Sequence, residues 1–366
     1  MKWFERKLNF DIYLLASVLA LSFFGLLMVY STSFMLSQEK FGNPYYFFKR
    51  ELVSLILGLV LMVAAMHFNH ERWKYFGSLF MVVAFVGLVA VFFFPATRGA
   101  HRWIRFGPMP FQPSELAKLA VILYFANSLA KRQEKLKKLI SGLAPYFIIL
   151  LVFVGLILKE PDFGGALAVA LLGMVLFFTA EVRLGFLFGT AAAALPVGGY
   201  YLASEAYRWR RLVAFMAPWK YSQNVAFQLI QSFLAFGNGG LWGVGLGMSH
   251  QKLFYLPDAH TDFIFSVIAE ELGWLGVMAV ILVYVMFITR GAITAMLSPN
   301  RYSCYLAMGI TGMIALPAIM NMAVVTGLLP TKGLVLPFLS YGGNSLMINM
   351  FASGILLNIS AKRYQR

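Results

Sequence analysis

Six polar or ionisable side chains, Asp258, His260, Thr261, Asp262, Glu270 and Glu271, crowd the stretch LPDAHTDFIFSVIAEELG at positions 256–273. The chain around them is 60% hydrophobic and a long apolar run follows, so the stretch belongs where membrane meets water. Acidic groups beside apolar surface are costly, and at such a place they mark a functional-site hypothesis. HTDFIF sets a histidine and a carboxylate two residues apart at the entry of an apolar helix. A carboxylate there can take a proton from an alcohol if partial burial raises its pKa. His260 with Asp262 gives only two metal ligands, too few to define a site. Capping of the following helix by Thr261 or Asp262 is the other reading that the spacing leaves open.

Further polar groups recur along the chain. Glu115 and Lys118 stand three apart on a predicted helix and share one face, so they can pair. A charge at bilayer depth costs about 2.5–3.5 kcal/mol, so such a pair either lines a polar cavity or ties the helix near the interface. In KEPDFGG, positions 159–165, Glu160 and Asp162 point two carboxylates into a tight turn. They can hold a divalent cation or orient cationic side chains, or Asp162 can cap the next helix. The loop PATRGAHRWIRFGPMPFQPSE carries Arg98, Arg102 and Arg105 and no acid before Glu115. Arginine forks match phosphate oxygens, of an anionic ligand or of lipid headgroups. After the last long apolar run but one, LLPTKGLVLPFLSYGGNS is broken by Pro330, Pro337 and Gly342–Gly343. Non-helical backbone at membrane depth must be buried in protein or line a cavity. Thr331, Lys332, Ser340 and Tyr341 are its polar lining.

These groups need elements to position them. Charged residues make up 12% of the 366 residues, against roughly 25% in soluble proteins. Continuously apolar runs predict an all-α, polytopic membrane protein, since barrel strands would alternate. Ten transmembrane helices are expected, over 12–30, 52–68, 76–94, 113–129, 144–158, 164–180, 184–203, 267–289, 305–329 and 345–360. They form a single domain over 1–366, with no repeats. Basic residues then mark the inner loops: Arg72 and Lys74; Lys131, Arg132, Lys135, Lys137 and Lys138; Arg183; Arg290 and Arg301; and the tail. By the positive-inside rule both termini are cytoplasmic, and the long loop between helices 7 and 8 is extracytoplasmic. The arginines of the 95–115 loop therefore lie on the side the rule leaves poor in basic residues, and the net charge of +15 points in part to an anionic ligand outside. In the long loop, AYRWRRLVAFMAPWKY reads as an amphipathic helix in the interface, and no nucleic acid is expected for an outward-facing segment of a membrane protein. The lone Cys304 excludes an internal disulfide framework.

RGAHRWIRFG, FQPSELAKL, EPDFGG, YLPDAHTDFIFSVIAEELG and GLLPTKGLVLPFLSYGG, in this order, resemble the SEDS family (shape, elongation, division and sporulation), the group of FtsW, RodA and SpoVE. The resemblance covers the whole chain and leans to the FtsW branch in FQPSELAKL, RWRRLVAFMAPW and LLPTKG. It implies a peptidoglycan glycosyltransferase that polymerises lipid II outside the bacterial cytoplasmic (inner) membrane, in septal cell division. It also implies a class B penicillin-binding protein and other divisome proteins as partners. Asp262 falls on the family's catalytic aspartate. Arg98, Arg102, Glu115, Lys118, Glu160, Asp162, His260, Thr261, Glu270, Lys332, Ser340 and Tyr341 are the expected substrate-binding set. A divalent cation (Mg or Mn) at Asp162 is the expected cofactor, with no organic one. Ala323 and Asn344 stand where the family more often has glycine and serine. A lipid II flippase is the rival reading, but it would need charges along the inner half of its path, and here the unpaired charges gather at the outer end. A transporter would show broken helices in both halves, and only the C-terminal end shows one.

Overall fold

In lipid every backbone amide must bond within its own segment, so long apolar runs have to become helices. The computed structural model describes residues 10–96, 99–106, 109–203, 206–221, 226–331 and 333–363. Arg98 and Lys332, both expected at the site, lie outside the described residues. Along the chain run α1 (Ile12–Phe41), α2 (Tyr46–His67), α3 (Trp73–Ala90), α4 (Pro113–Lys131), α5 (Ala144–Lys159), α6 (Phe163–Thr179) and α7 (Leu184–Ala203). After them come α8 (Ala206–Met216), α9 (Phe227–Gly239), α10 (Ile264–Met296), α11 (Arg301–Val325) and α12 (Gly343–Arg363). Each of the ten apolar runs overlaps one of these helices, and the runs 76–94 and 305–329 extend past the ends of theirs at Ala90 and Val325. Among the described residues six helical stretches, Ile12–Phe41, His70–Phe93, Ser141–Lys159, Ile264–Met296, Arg301–Val325 and Gly343–Ala361, are long and apolar enough to cross a membrane, and Phe163–Thr179 is a shorter apolar helix.

Helix α4 is the axis of the bundle. It packs on α3, α6 and α11, and buries Ala117, Leu119, Ala120, Val121, Ile122 and Leu123 together with the charged Glu115 and Lys118. Helix α12 lies along α2, and α10 runs against both α1 and α11. Outward stripes at helical spacing stay exposed and apolar: Val53, Ile56 and Val60 on α2, and Leu79, Val82 and Val86 on α3. Such faces are stable against lipid and not against water.

The start of α1 and the end of α12 meet at one end of the bundle. The Asp11 amide donates to Ser360 Oγ at 3.0 Å, and the Arg290 guanidinium reaches Asp11 Oδ2 at 2.6 and 2.8 Å.

Three segments depart from the expected pattern. Helix α2 begins at Tyr46, six residues before the apolar run, and carries Arg50 and Glu51 inward. The arginine-rich loop folds as a small antiparallel hairpin, β1 (Ile104–Phe106) with β2 (Met109–Phe111), pairing Ile104 with Phe111. The long segment between α7 and α10 holds α8 and α9 and then a strap that crosses α10. There α10 is broken at Gly273 (φ 64°, ψ −164°), and a Cβ would stand 2.3 Å from the Gly243 nitrogen. The strap replaces the lost helical bonds: Val244 and Gly245 amides donate to the Glu270 and Glu271 carbonyls at 3.0 Å each, and the Trp274 amide donates to the Gly240 carbonyl at 2.9 Å.

Candidate active site

The end of the bundle away from the Asp11–Arg290 pair encloses a cavity of about 470 Å³. Segments that are distant in sequence build its walls: the turn before α10, the start of α4, the turn before α6, the non-helical stretch between α11 and α12, the hairpin loop, and helices α2 and α12.

Asp262 lies in that first turn, half-buried on the cavity wall. Helix α10 begins after it, with Phe263 as N-cap and no side-chain cap bond, so neither Thr261 nor Asp262 caps the helix. The turn is fixed through its backbone. The Thr261 amide donates to the Asp258 carbonyl at 3.0 Å, and the Tyr341 amide donates to the His260 carbonyl at 3.0 Å. Ser340 Oγ donates to the Thr261 carbonyl at 2.5 Å and accepts from the Leu336 amide at 2.9 Å. Asn321 of α11 donates from one Nδ2 to two carbonyls, Asp262 at 2.8 Å and Leu334 at 2.6 Å. These bonds clamp the Asp262 turn onto the stretch 331–342, whose Leu334, Leu336, Phe338 and Leu339 are buried in protein as its broken backbone demands.

The other charged groups converge on the same space. Lys118 Nζ donates to Glu115 Oε1 at 2.7 Å, and both side chains are nearly buried on the wall. The spacing of three puts them one turn apart, and the cavity lets polar heads exist at this depth. Asp162 lines the cavity and also caps α6, its Oδ1 accepting from the Gly165 amide at 3.0 Å. Arg102, just before β1, donates to the Pro161 carbonyl and draws the hairpin over the Asp162 turn. His260 packs against Phe47 and Tyr341 with tilted rings, centroids 5.0 and 5.9 Å away.

Of the expected residues, Asp262, Arg102, Glu115, Lys118, Asp162, His260, Thr261 and Tyr341 are on the cavity wall. Three are not. Glu270 points away from it and is wholly buried: its carboxylate accepts from Ser249 Oγ, from the Gln251 amide at 3.2 Å and from Asn238 Nδ2 at 3.4 Å, so it anchors the strap. Its neighbour Glu271 does the same toward α1, accepting from Ser31 Oγ at 2.8 Å and from Lys252 Nζ at 3.1 Å. Ser340 is spent on backbone bonds inside the clamp. Glu160 is buried behind the turn, where burial and then the Asp162 charge push its carboxyl up to about 8 against the pull of Arg102.

Arg50, Glu51 and Asp258 line the cavity without having been expected there, and Asn321 acts behind it. A lone amide inside the apolar run 305–329 was the available signal for Asn321. Among the described residues no three His, Cys, Asp or Glu side chains converge on one point. A divalent cation would therefore have to draw on Asp162 or Asp262 together with oxygens of a bound ligand, the arrangement usual for Mg²⁺ with phosphates. The arrangement as a whole offers a half-buried carboxylate for proton transfer facing fixed cations for an anionic group.

The model of the FtsW/RodA/SpoVE family, described as cell cycle protein, matches residues 12–365. The "Probable peptidoglycan glycosyltransferase FtsW" of Geobacter metallireducens is 43% identical over 366 residues, covering 99% of this chain and 96% of its own. Its counterpart of the same name in Coxiella burnetii is 40% identical, covering 96% of each. Among solved structures, a chain from a study of how a peptidoglycan synthase complex coordinates polymerisation and crosslinking superposes with a TM-score of 0.79 at 27% identity, covering 98% of this chain and 99% of that one. The rod shape determining protein RodA of Thermus thermophilus superposes at 0.72 with 27% identity, covering 98% of both.

Proposed function

The chain belongs to the FtsW/RodA/SpoVE family of cell cycle proteins, and from that premise we propose that it is a peptidoglycan glycosyltransferase that polymerises lipid II at the outer face of the cytoplasmic membrane. The observation that carries this reading is Asp262 on the wall of one cavity with Lys118, Arg102 and Asp162. A polyprenyl tail suits the apolar flank of a helical bundle, a pyrophosphate suits Arg102 and Lys118, and a sugar hydroxyl suits a half-buried carboxylate.

Asp262 takes the proton from the 4-hydroxyl of the acceptor's GlcNAc. The oxygen attacks the anomeric carbon of the donor's lipid-linked MurNAc, with inversion, forming the β-1,4 bond. The bond from that carbon to the pyrophosphate oxygen breaks, and undecaprenyl pyrophosphate leaves. Arg102 and Lys118 offset the charge that grows on it, the kind of preorganised stabilisation that contributes most to catalysis. Glu115 holds Lys118 in place. A divalent cation at Asp162 would supply further charge neutralisation. The setting we propose is the division septum, with a class B penicillin-binding protein crosslinking the strands and other divisome proteins alongside.

The test is polymerisation of lipid II by the purified protein, alone and with a class B penicillin-binding protein, with and without chelator. Asp262→Ala should make no polymer and should melt like the parent chain. Polymer at the parental rate from that variant would remove Asp262 from the mechanism.

A further inference from the structure

The proposed chemistry leaves one polar wall of the cavity unused. Helix α2 brings Glu51 and Ser54 to it, and α12 brings Asn349. Glu51 and Asn349 are 3% and 1% exposed. Glu51 accepts a hydrogen bond from the Gly342 amide, which accounts for one carboxyl oxygen and a structural role. Its Oε2 has no hydrogen-bond partner among the described residues. Asn349 repeats the pattern: its Nδ2 donates to Ser345 Oγ at 3.2 Å, while its Oδ1 has no partner there.

Buried acceptors in native proteins find donors, and two on one cavity wall without them point to a ligand that brings N–H or O–H groups. The Lys118 and Arg102 side carries cations and suits phosphate oxygens, with Glu115 Oε2 there also without a partner among the described residues. Acceptors in want of donors suit a neutral group rich in hydroxyls and amide N–H. This wall also adjoins the Asp262 turn: Phe47, one turn before Glu51 on α2, packs against His260 with centroids 5.0 Å apart.

We propose that Glu51 and Asn349 form a subsite for the N-acetylated amino sugar that Asp262 deprotonates, receiving its acetamido N–H and a ring hydroxyl. The inference rests on reading the cavity as a site of glycosyl transfer. It makes Glu51 and Asn349 binding residues, with no part in moving the proton.

The experiment compares the lipid-linked disaccharide substrate with an analogue whose 2-acetamido group is replaced by 2-acetoxy, which keeps the shape and removes only the N–H. Wild type should prefer the acetamido substrate by about tenfold in kcat/KM, through KM, because a site built to bond a donor rejects the analogue that lacks it. Glu51→Gln and Asn349→Leu conserve volume, so both should fold. Each should raise KM for the acetamido substrate about tenfold, leave kcat within about threefold, and shrink the preference. A wild type without preference, or folded variants that keep it in full, would overturn the subsite. Absence of polymer from wild type with either substrate would instead count against glycosyl transfer itself.

Discussion

The main chain of Gly333 lies directly against the Asp262 carboxylate: a Cβ at position 333 would stand 2.8 Å from Oδ2 and 3.6 Å from Cγ. That is closer than a carbon and an oxygen can approach without a shift. The yielding partner is the end of a side chain, so the carboxylate would swing while the backbone kept its place. Gly333→Ala should therefore fold normally and lose about 100-fold in kcat, since small misplacements of a reacting group are that severe. Unchanged kcat in lipid II polymerisation would show that the carboxylate works from another position.

Asn321 holds two carbonyls with one amide nitrogen. Asn321→Leu leaves the Asp262 and Leu334 carbonyls without that donor, at on the order of 1–3 kcal/mol for each group left buried. The turn should loosen, with a lower melting temperature and a lower kcat together. Asn321→Asp should be worse, because a carboxylate would face two carbonyl oxygens. Thermal melts in detergent beside polymerisation rates read both effects.

Glu160 gives a pH signature. Its folded-state value of about 8 lies above the usual 4.5, with burial as the main cause and the Asp162 charge as the second. The folded chain thus holds this proton more tightly than the unfolded one. Its contribution to stability is complete below about pH 4.5 and is lost as pH rises through about 8. Glu160→Gln should remove that loss, so its melting temperature should fall less than the parent's between about pH 5 and pH 8.5. Parallel curves for the two proteins would show that the group does not titrate there.

At the opposite end of the bundle, Arg290 and Asp11 tie α10 to the start of α1. The Asp11 side chain is fully buried and Arg290 is 20% exposed. Arg290→Met leaves the carboxylate without this partner, a change that typically costs about 3–5 kcal/mol, whereas Arg290→Met with Asp11→Asn should recover most of it. Denaturant melts of the three proteins give the comparison.

Much of this was legible in the sequence because lipid restricts the options. Apolar length alone places the helices, and a spacing of three pairs Glu115 with Lys118. Asp262 stands out because an acid beside an apolar run demands a reason. The misreadings share one cause. The partner of a polar side chain is set by another segment that only folding brings near. Glu270 looks like Asp262 in sequence, yet Ser249, Gln251 and Asn238 claim it for the strap. Ser340 looks like a cavity hydroxyl and serves the backbone of Thr261. Arg50 and Glu51 look like loop residues because they precede the apolar run, whereas α2 starts earlier than its hydrophobicity.

The strap across the Gly273 break has a consequence for how this region can vary. From Gly240 to Gly245 its bonds to α10 run from main chain to main chain, so there they are indifferent to which side chains the strap carries, except at Gly243, where a Cβ would stand 2.2 Å from the Glu271 carbonyl oxygen. They are not indifferent to count. Gly240 meets Trp274 while Val244 meets Glu270, in opposite directions along the two segments. Inserting or deleting a single residue between those points would slide every partner out of line at once. Substitutions at the outward-facing Leu241 and Trp242 would leave the pairing whole. The segment can thus vary at its exposed positions, while its length, Gly243 and the Ser249 and Lys252 bonds to α10 stay frozen.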